Sequence, residues 1–149
     1  MSDLKTRLKE YEGTKEYQAK LKYFRNGKFY PYADSLGFNT VGYGHLIQRG
    51  EDFTTGITEN EADQLLSRDL AKVQVQVKTL GLVLPDDWND FITIMTFQLG
   101  IQGVKKFRKM LTALEIKNYS EAVKQAKDSL WYKQTPNRVD AMIAVLKNK

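Results

Sequence analysis

The chain has no cysteine and a single histidine, His45, among its 149 residues. The first absence excludes a disulfide framework and thiolate catalysis, and suits a protein made in a reducing cytoplasm. The second argues against a histidine-based zinc site, and no cofactor is expected. No stretch approaches ~18 apolar residues, so no transmembrane helix is expected. The start, Met1-Ser-Asp-Leu-Lys-Thr-Arg-Leu-Lys-Glu10, alternates charge and lacks the apolar core of a secretion signal. A target outside the cytoplasm would require another agent to deliver the protein.

What is present describes a globular protein: 42% hydrophobic and 28% charged residues. The length fits one domain, or a small and a larger lobe sharing a helix, able to bury about two-thirds of the unfolded surface. Lys and Arg number 23 against 18 Asp and Glu, for a net charge of +5. That excess favours anionic partners: nucleic acid, a membrane surface or a bacterial wall polymer. The lysines are dispersed rather than set around stacking aromatics, and no nucleic-acid motif occurs, so nucleic acid is not the expected partner.

Leu4, Leu8 and Tyr11 recur at helical spacing, with Gly13 as a left-handed stop, which predicts a short helix ending near Glu12. The aromatic-rich run from Tyr17 to Ala33 reads as strands around Asn26-Gly27, a dipeptide suited to a tight hairpin. A helix over Tyr17, Leu21 and Phe24 also fits the spacing; turn chemistry favours the hairpin. Pro31 argues for an edge position. Asp34 to Gly37 is a further turn, followed by short strands over Phe38 to Val41 and Tyr43 to Ile47. Thr58-Glu-Asn-Glu61 matches a capping box, and Ala62, Leu65, Leu66, Leu70, Val73, Val77 and Leu80 line one face of the helix it opens. Asp86 is placed to cap an apolar helix through Trp88, Phe91, Ile92, Met95 and Leu99, closed by Gly100. Helices from Val104 to Leu114, near Ser120 and after Pro136 complete the chain. The expected class is α+β, with a small antiparallel sheet lobe (about 14–56), a connecting helix (about 58–80) and a helical lobe (about 81–149, plus the N-terminal helix) in one domain, 1–149.

The chemistry concentrates in Asp34-Ser-Leu-Gly-Phe-Asn-Thr40-Val-Gly-Tyr-Gly-His45, with Tyr11-Glu12-Gly13 upstream. Two carboxylates flanking a bond are the minimal equipment for cutting a glycosidic linkage: one protonates the leaving oxygen, the other serves the anomeric carbon or its attacking water. Partial burial of Glu12 would favour its protonated form and suit it to the acid role. Taken singly, each residue also has an ordinary reading. Glu12 can be a surface glutamate, Asp34 a turn former, Thr40 a strand residue and His45 a structural histidine. Gly42 and Gly44 mark close backbone packing rather than a phosphate loop, since no long helix follows at the required spacing.

The run Tyr32-Ala-Asp34-Ser-Leu-Gly-Phe-Asn-Thr40-Val-Gly-Tyr-Gly-His45-Leu-Ile resembles the active-site strands of T-even bacteriophage lysozymes, glycoside hydrolase family 24. The resemblance extends through Glu12-Gly13, Ile57 to Leu70, Met95-Thr-Phe97-Gln-Leu-Gly100 and Trp131-Tyr-Lys-Gln-Thr-Pro-Asn-Arg138. It covers nearly the whole chain in order, and the late segments look closer to tail-associated members. It implies a lysozyme-like fold with Glu12 as catalytic acid, Asp34 as second carboxylate and Thr40 as the hydroxyl that helps hold the attacking water. Leu46, Phe97, Met110 and Gln125 fall where the family contacts glycan. Gln125 replaces a more usual Asn, and Met110 a small polar residue. His45 and Asp69 match a structural ion pair.

One departure concerns spacing. Twenty-one residues, Gly13 to Ala33, separate Glu12 from Asp34. The family has about eight there, but lengthening a loop costs little, so the site can survive an insertion. The insertion carries Lys20, Lys22, Arg25 and Lys28. The resemblance implies a muramidase that hydrolyses the β-1,4 bond between N-acetylmuramic acid and N-acetylglucosamine in bacterial peptidoglycan, with inversion, for host lysis or wall penetration. The enzyme is expected to be a monomer, made in the host bacterial cytoplasm and acting on the wall after release or delivery. A lytic transglycosylase would need one carboxylate and no water-holding pair, so Asp34 and Thr40 argue against it. A non-catalytic wall-binding or virion-structural module is opposed by the presence of Glu12, Asp34 and Thr40 together.

Overall fold

Leu4 and Leu8 stand one helical turn apart and are both buried, which gives the first helix, α1 (Leu4–Glu12), its inward stripe. A computed structural model describes residues 4–149 of the chain. The described residues form two compact units, one ending at Ala71 and the other Lys72–Lys149.

In the first unit, Gly13 leaves α1 at φ +119 and donates its N–H to the Lys9 carbonyl at 2.9 Å, closing the helix where the sequence places the stop. The next residues depart from the all-strand reading. Thr14 caps a six-residue helix, α2 (Lys15–Lys20), by accepting the Tyr17 N–H. The strands begin only afterwards, with β1 (Phe24–Arg25) and β2 (Lys28–Phe29) around Asn26 and Gly27, both at positive φ. The Asn-Gly turn therefore forms as expected, while Tyr17 to Lys20 belong to the helical alternative.

The expected single small sheet is two sheets of three antiparallel strands each. One has the order β1-β2-β6, where β6 is Ile57–Thr58, just beyond the anticipated sheet segment. The other is β3 (Tyr32–Ala33), β4 (Asn39–Val41) and β5 (His45–Leu46) in sequential order. The inserted segment is not peripheral. Phe29 on β2 is fully buried, meets Tyr43 edge-on at 5.1 Å and pairs with Ile57.

The capping box forms reciprocally: Thr58 Oγ1 accepts the Glu61 N–H at 3.1 Å, and the Glu61 carboxylate accepts the Thr58 N–H at 2.8 Å. It opens α3 (Glu59–Lys78), whose Ala62, Leu65, Leu66, Leu70, Val73 and Val77 are buried as the spacing predicts, while Leu80, the last of the expected stripe, lies past the helix end and is only half-buried.

The second unit is helical: α4 (Asp86–Lys105), α5 (Arg108–Glu115), α6 (Tyr119–Lys127), α7 (Leu130–Gln134) and α8 (Pro136–Ala144). Asp86 does not cap α4. The cap position is Pro85, which makes no side-chain bond, while the Asp87 carboxylate accepts the N–H groups of Lys147 and Asn148 and holds the C-terminal residues. Gly100, at φ 77 and ψ 159, is non-helical and divides α4 into two helical runs, so the apolar helix closes where expected; a further break at Phe107 interrupts the expected Val104 to Leu114 helix. Trp88, Phe91, Met110, Trp131 and Met142 fill the unit's core. Among the described residues no helix is long and apolar enough to cross a membrane.

Candidate active site

Glu12 is the last residue of α1, half-buried, with the chain turning away immediately behind it at Gly13. A Cβ built on Gly44 would stand 2.6 Å from Glu12 Cγ and 2.8 Å from Cδ and Oε1. The carboxyl group therefore lies directly on the Gly44 main chain, and any side chain there would displace it. The close packing read from the Gly-x-Gly pair is realised here.

Two side chains fasten this end of α1. The Tyr32 hydroxyl lies 3.3 Å from the Glu12 carbonyl oxygen and 3.4 Å from that of Gly42. Gln18, buried at 1% exposure, donates Nε2 to the carbonyls of Gly13 (2.8 Å) and Gly42 (2.9 Å). Burial, with smaller contributions from the Glu59, Asp63 and Glu16 charges, raises the Tyr43 phenol to about 12, so it stays protonated between the two glycines. Gln18 and Tyr32 carried no recognised signal in the sequence, where one reads as a polar helix residue and the other as a strand aromatic.

Asp34 follows β3 directly. Its Oδ1 accepts the N–H groups of Leu36 (3.0 Å) and Phe38 (2.8 Å), so the ordinary turn-forming role is real. Among the described residues Oδ2 receives no hydrogen bond, which leaves one carboxylate oxygen for another partner. Thr40, at 1% exposure, donates Oγ1–H to the Phe38 carbonyl at 2.8 Å. With its proton committed, that hydroxyl can only accept from a further group. Thr40 is in register with Tyr32 on β3 and Leu46 on β5, so these three side chains share one face of the sheet.

On the opposite face, Val41 pairs with His45. His45 is gripped from both ring nitrogens: Nδ1 is 2.8 Å from Asp69 Oδ2 and Nε2 is 2.9 Å from Glu51 Oε1. The bond to Asp69 raises the histidine above its usual value, against burial, which lowers it; the Glu51 bond adds to the rise. For Glu51, burial pushes upward, but the Gln48 N–H at 2.7 Å and the imidazole hold it below its ordinary value. The structure thus contains the His45–Asp69 pair and a second carboxylate that sequence reading missed. The only sequence signal for Glu51 is an acid six residues past the histidine across Gly50.

In the second unit, Met110 is fully buried on α5 and Gln125 sits on α6, its Nε2 donating to Glu121 at 2.6 Å. Both line a cavity of about 360 Å³ together with Lys106, Phe107, Arg108 and Ser129. Phe97 is buried on α4 and does not line that cavity. Beside it, Gln98 Oε1 accepts the Trp131 indole N–H at 2.8 Å.

The phage lysozyme family model matches residues 22–145. Asp34, Thr40, Leu46, Phe97, Met110 and Gln125 lie inside that stretch, and Glu12 precedes it. The pre-baseplate central spike protein Gp5 of Enterobacteria phage T4 is 33% identical over 142 residues, covering 77% of this chain and 24% of the spike protein. Probable T4-type lysozyme 1 of Dictyostelium discoideum is 30% identical over 153 residues, covering 85% of this chain and 90% of the relative. Peptidoglycan hydrolase gp36 of Pseudomonas phage phiKMV is 30% identical over 116 residues, 75% of this chain and 13% of that protein. The chain thus spans nearly the length of the Dictyostelium protein and a small part of the two phage proteins.

Proposed function

The chain belongs to the phage lysozyme family, and from that premise we propose that it is a peptidoglycan hydrolase of the muramidase type. It cleaves the β-1,4 bond between N-acetylmuramic acid and N-acetylglucosamine, with inversion. The observation that carries this reading is the Glu12 carboxyl group held on the Gly44 main chain, in the unit that also contains Asp34 and Thr40.

Glu12 gives its proton to the leaving glycosidic oxygen, a role that needs a carboxyl group fixed in position and partly shielded from water. Asp34 and Thr40 hold the nucleophilic water. Because Asp34 Oδ1 is committed to two main-chain N–H groups, Oδ2 is the oxygen that accepts a water proton. The Thr40 hydroxyl, already donating to Phe38, accepts the other. A water donating both protons turns a lone pair outward toward the anomeric carbon, and Asp34 takes up a proton as the bond forms. Leu46, on the same sheet face as Thr40, together with Phe97, Met110 and Gln125, contacts the glycan. The chain works as a monomer without a cofactor, within one domain, made in the host cytoplasm and delivered to the wall for lysis or penetration.

Mass analysis of purified peptidoglycan digested by the wild type and by Glu12→Gln tests the reading. Hydrolysis yields muropeptides with a free reducing end, whereas transglycosylation yields anhydro ends lighter by one water. Anhydro products from the wild type would overturn the hydrolytic assignment.

A further inference from the structure

One basic outcrop of the first unit lies on the segment between Glu12 and Asp34. Residues 14–30 hold five cations, Lys15, Lys20, Lys22, Arg25 and Lys28, and one acid, Glu16, for a local net charge of +4. Lys15 is engaged by Glu59 at 3.3 Å. Among the described residues none of the other four forms an ion pair. Lys20, Lys22 and Arg25 are exposed and Lys28 is half-exposed.

The fold brings three of these together. Arg25 and Lys28 are direct cross-strand partners, and Arg25 Nη1 donates to the Lys22 carbonyl at 2.8 Å. Like charges directly opposite on a hairpin destabilise it unless an anion lies between them. The Arg25 guanidinium also rests over the Tyr30 ring at 3.8 Å, which fixes the position of its remaining donors. Glu61 feels the Lys28 charge, but its carboxylate is occupied by the Thr58 N–H at the start of α3.

We propose that the α2–β1–β2 outcrop is a docking surface for a phosphodiester polymer of the bacterial wall, a poly(alditol phosphate). It would hold the enzyme on its insoluble substrate between cuts. Regularly spaced monoanions on a flexible chain suit lysine point charges beside one oriented guanidinium fork. Among the outcrop's aromatics Tyr23 is stacked on Tyr32 at 4.7 Å, Tyr30 lies under Arg25 and Phe29 is buried. The single exposed ring of Tyr17 does not make the row of rings on which successive bases stack. A helix of six residues is too short to bury an apolar face in a bilayer. The choice of a wall polymer rests on the muramidase reading; the charge cluster does not.

Calorimetric titration with purified poly(glycerol phosphate), with phosphatidylglycerol vesicles and DNA duplex as competitors, tests this surface without any hydrolysis. One variant removes the charge: Lys20→Gln, Lys22→Asn, Arg25→Gln and Lys28→Gln, with Asn at the position whose φ is 68. A second exchanges Lys for Arg and Arg for Lys at the same four positions and keeps the charge. The wild type should bind the polymer with strong salt dependence. The neutral variant should lose about tenfold or more, and the charge-keeping one should stay within about threefold. Turnover of a short uncharged glycan should be the same in all three. Equal polymer affinity of the neutral variant and the wild type would overturn the proposal, as would preference for vesicles or DNA. Polymer binding by a wild type that cuts no glycan would support the docking surface and overturn the muramidase reading alone.

Discussion

The carboxyl group of Glu12 and the α-carbon of Gly44 are in contact with no room for a methyl group between them. Gly44 is also at φ +87, so it answers two demands at once: a left-handed turn before β5 and a bare surface for the acid. Gly44→Ala should remain folded with a stability loss of about 1–2 kcal/mol from the positive φ. Its turnover should fall far more than its melting temperature explains, because the Glu12 carboxyl group is pushed out of place. Full activity in a folded Gly44→Ala protein would show that this contact does not position the acid.

The double grip on His45 sets a pH window. The histidine's folded value lies above 6.5, so its contribution to stability is complete below that pH and fades as pH rises through the folded value. Glu51 lies below its ordinary 4.5, so its contribution is present above that pH and fades as pH falls through its own folded value. These two groups together favour maximal stability in the acidic range between them. Titration of His45 by NMR should give a raised value that falls more in Asp69→Asn than in Glu51→Gln. An unshifted His45 in the wild type would contradict the account.

The inserted segment should not be removable. Its two buried residues, Gln18 and Phe29, make it part of the first unit's interior. Phe29→Ala should cost ~3–5 kcal/mol in chemical denaturation, and Gln18→Ala about 1–3 kcal/mol by stranding two carbonyl groups. Replacing Lys15 to Phe29 with a Gly-Ser linker should unfold at least that unit. A deletion variant with native melting would show that the segment is peripheral to the first unit.

What was legible in the sequence followed from local rules. The Thr58–Glu61 box, the α3 stripe, the Gly13 stop and the Asn26-Gly27 turn depend on neighbours a few residues away, and each formed. Lys15–Lys20 takes the helical alternative rather than the favoured strand reading, because Tyr17 opens an aromatic-rich run while the deciding facts are a Thr14 cap and the burial of Gln18 against the Gly13 and Gly42 carbonyls. Asp86 was misread for a related reason: Asp87 is engaged by Lys147 and Asn148, sixty residues on, and no local pattern carries that. Of the candidate site, Glu12, Asp34 and Thr40 stand out in the sequence only as residue types at a spacing that suits the proposed chemistry. The second carboxylate on His45, Glu51, and the tethers of Tyr32 and Gln18 are tertiary contacts, and the sequence offers only weak hints of them.

The water-holding role divides cleanly between two substitutions at one position. Thr40→Ser keeps a hydroxyl that can donate to Phe38 and accept from water, and should retain much of the activity. Thr40→Val should reduce hydrolysis strongly while costing about 1 kcal/mol of stability for the lost hydrogen bond. Equal activity of the two on purified peptidoglycan would remove Thr40 from the mechanism.

Inversion has a direct stereochemical signature. With water placed between Asp34 and the anomeric carbon, the Glu12 and Asp34 carboxyl groups should stand ~6.5–9.5 Å apart in a glycan complex, against ~5 Å for a retaining pair. Fresh product followed by NMR should carry the α-anomer at its new reducing end. The β-anomer as first product would make Asp34 a nucleophile instead.

The central claim is that Glu12 supplies the proton that breaks the glycosidic bond. The most direct measurement is the initial rate of Glu12→Gln on purified peptidoglycan, with its melting curve recorded alongside. The amide keeps the shape of the side chain and removes the proton, so the rate should fall by ~10²–10⁴-fold with the fold intact. A Glu12→Gln protein that is folded and cuts at a rate near that of the wild type would contradict the account.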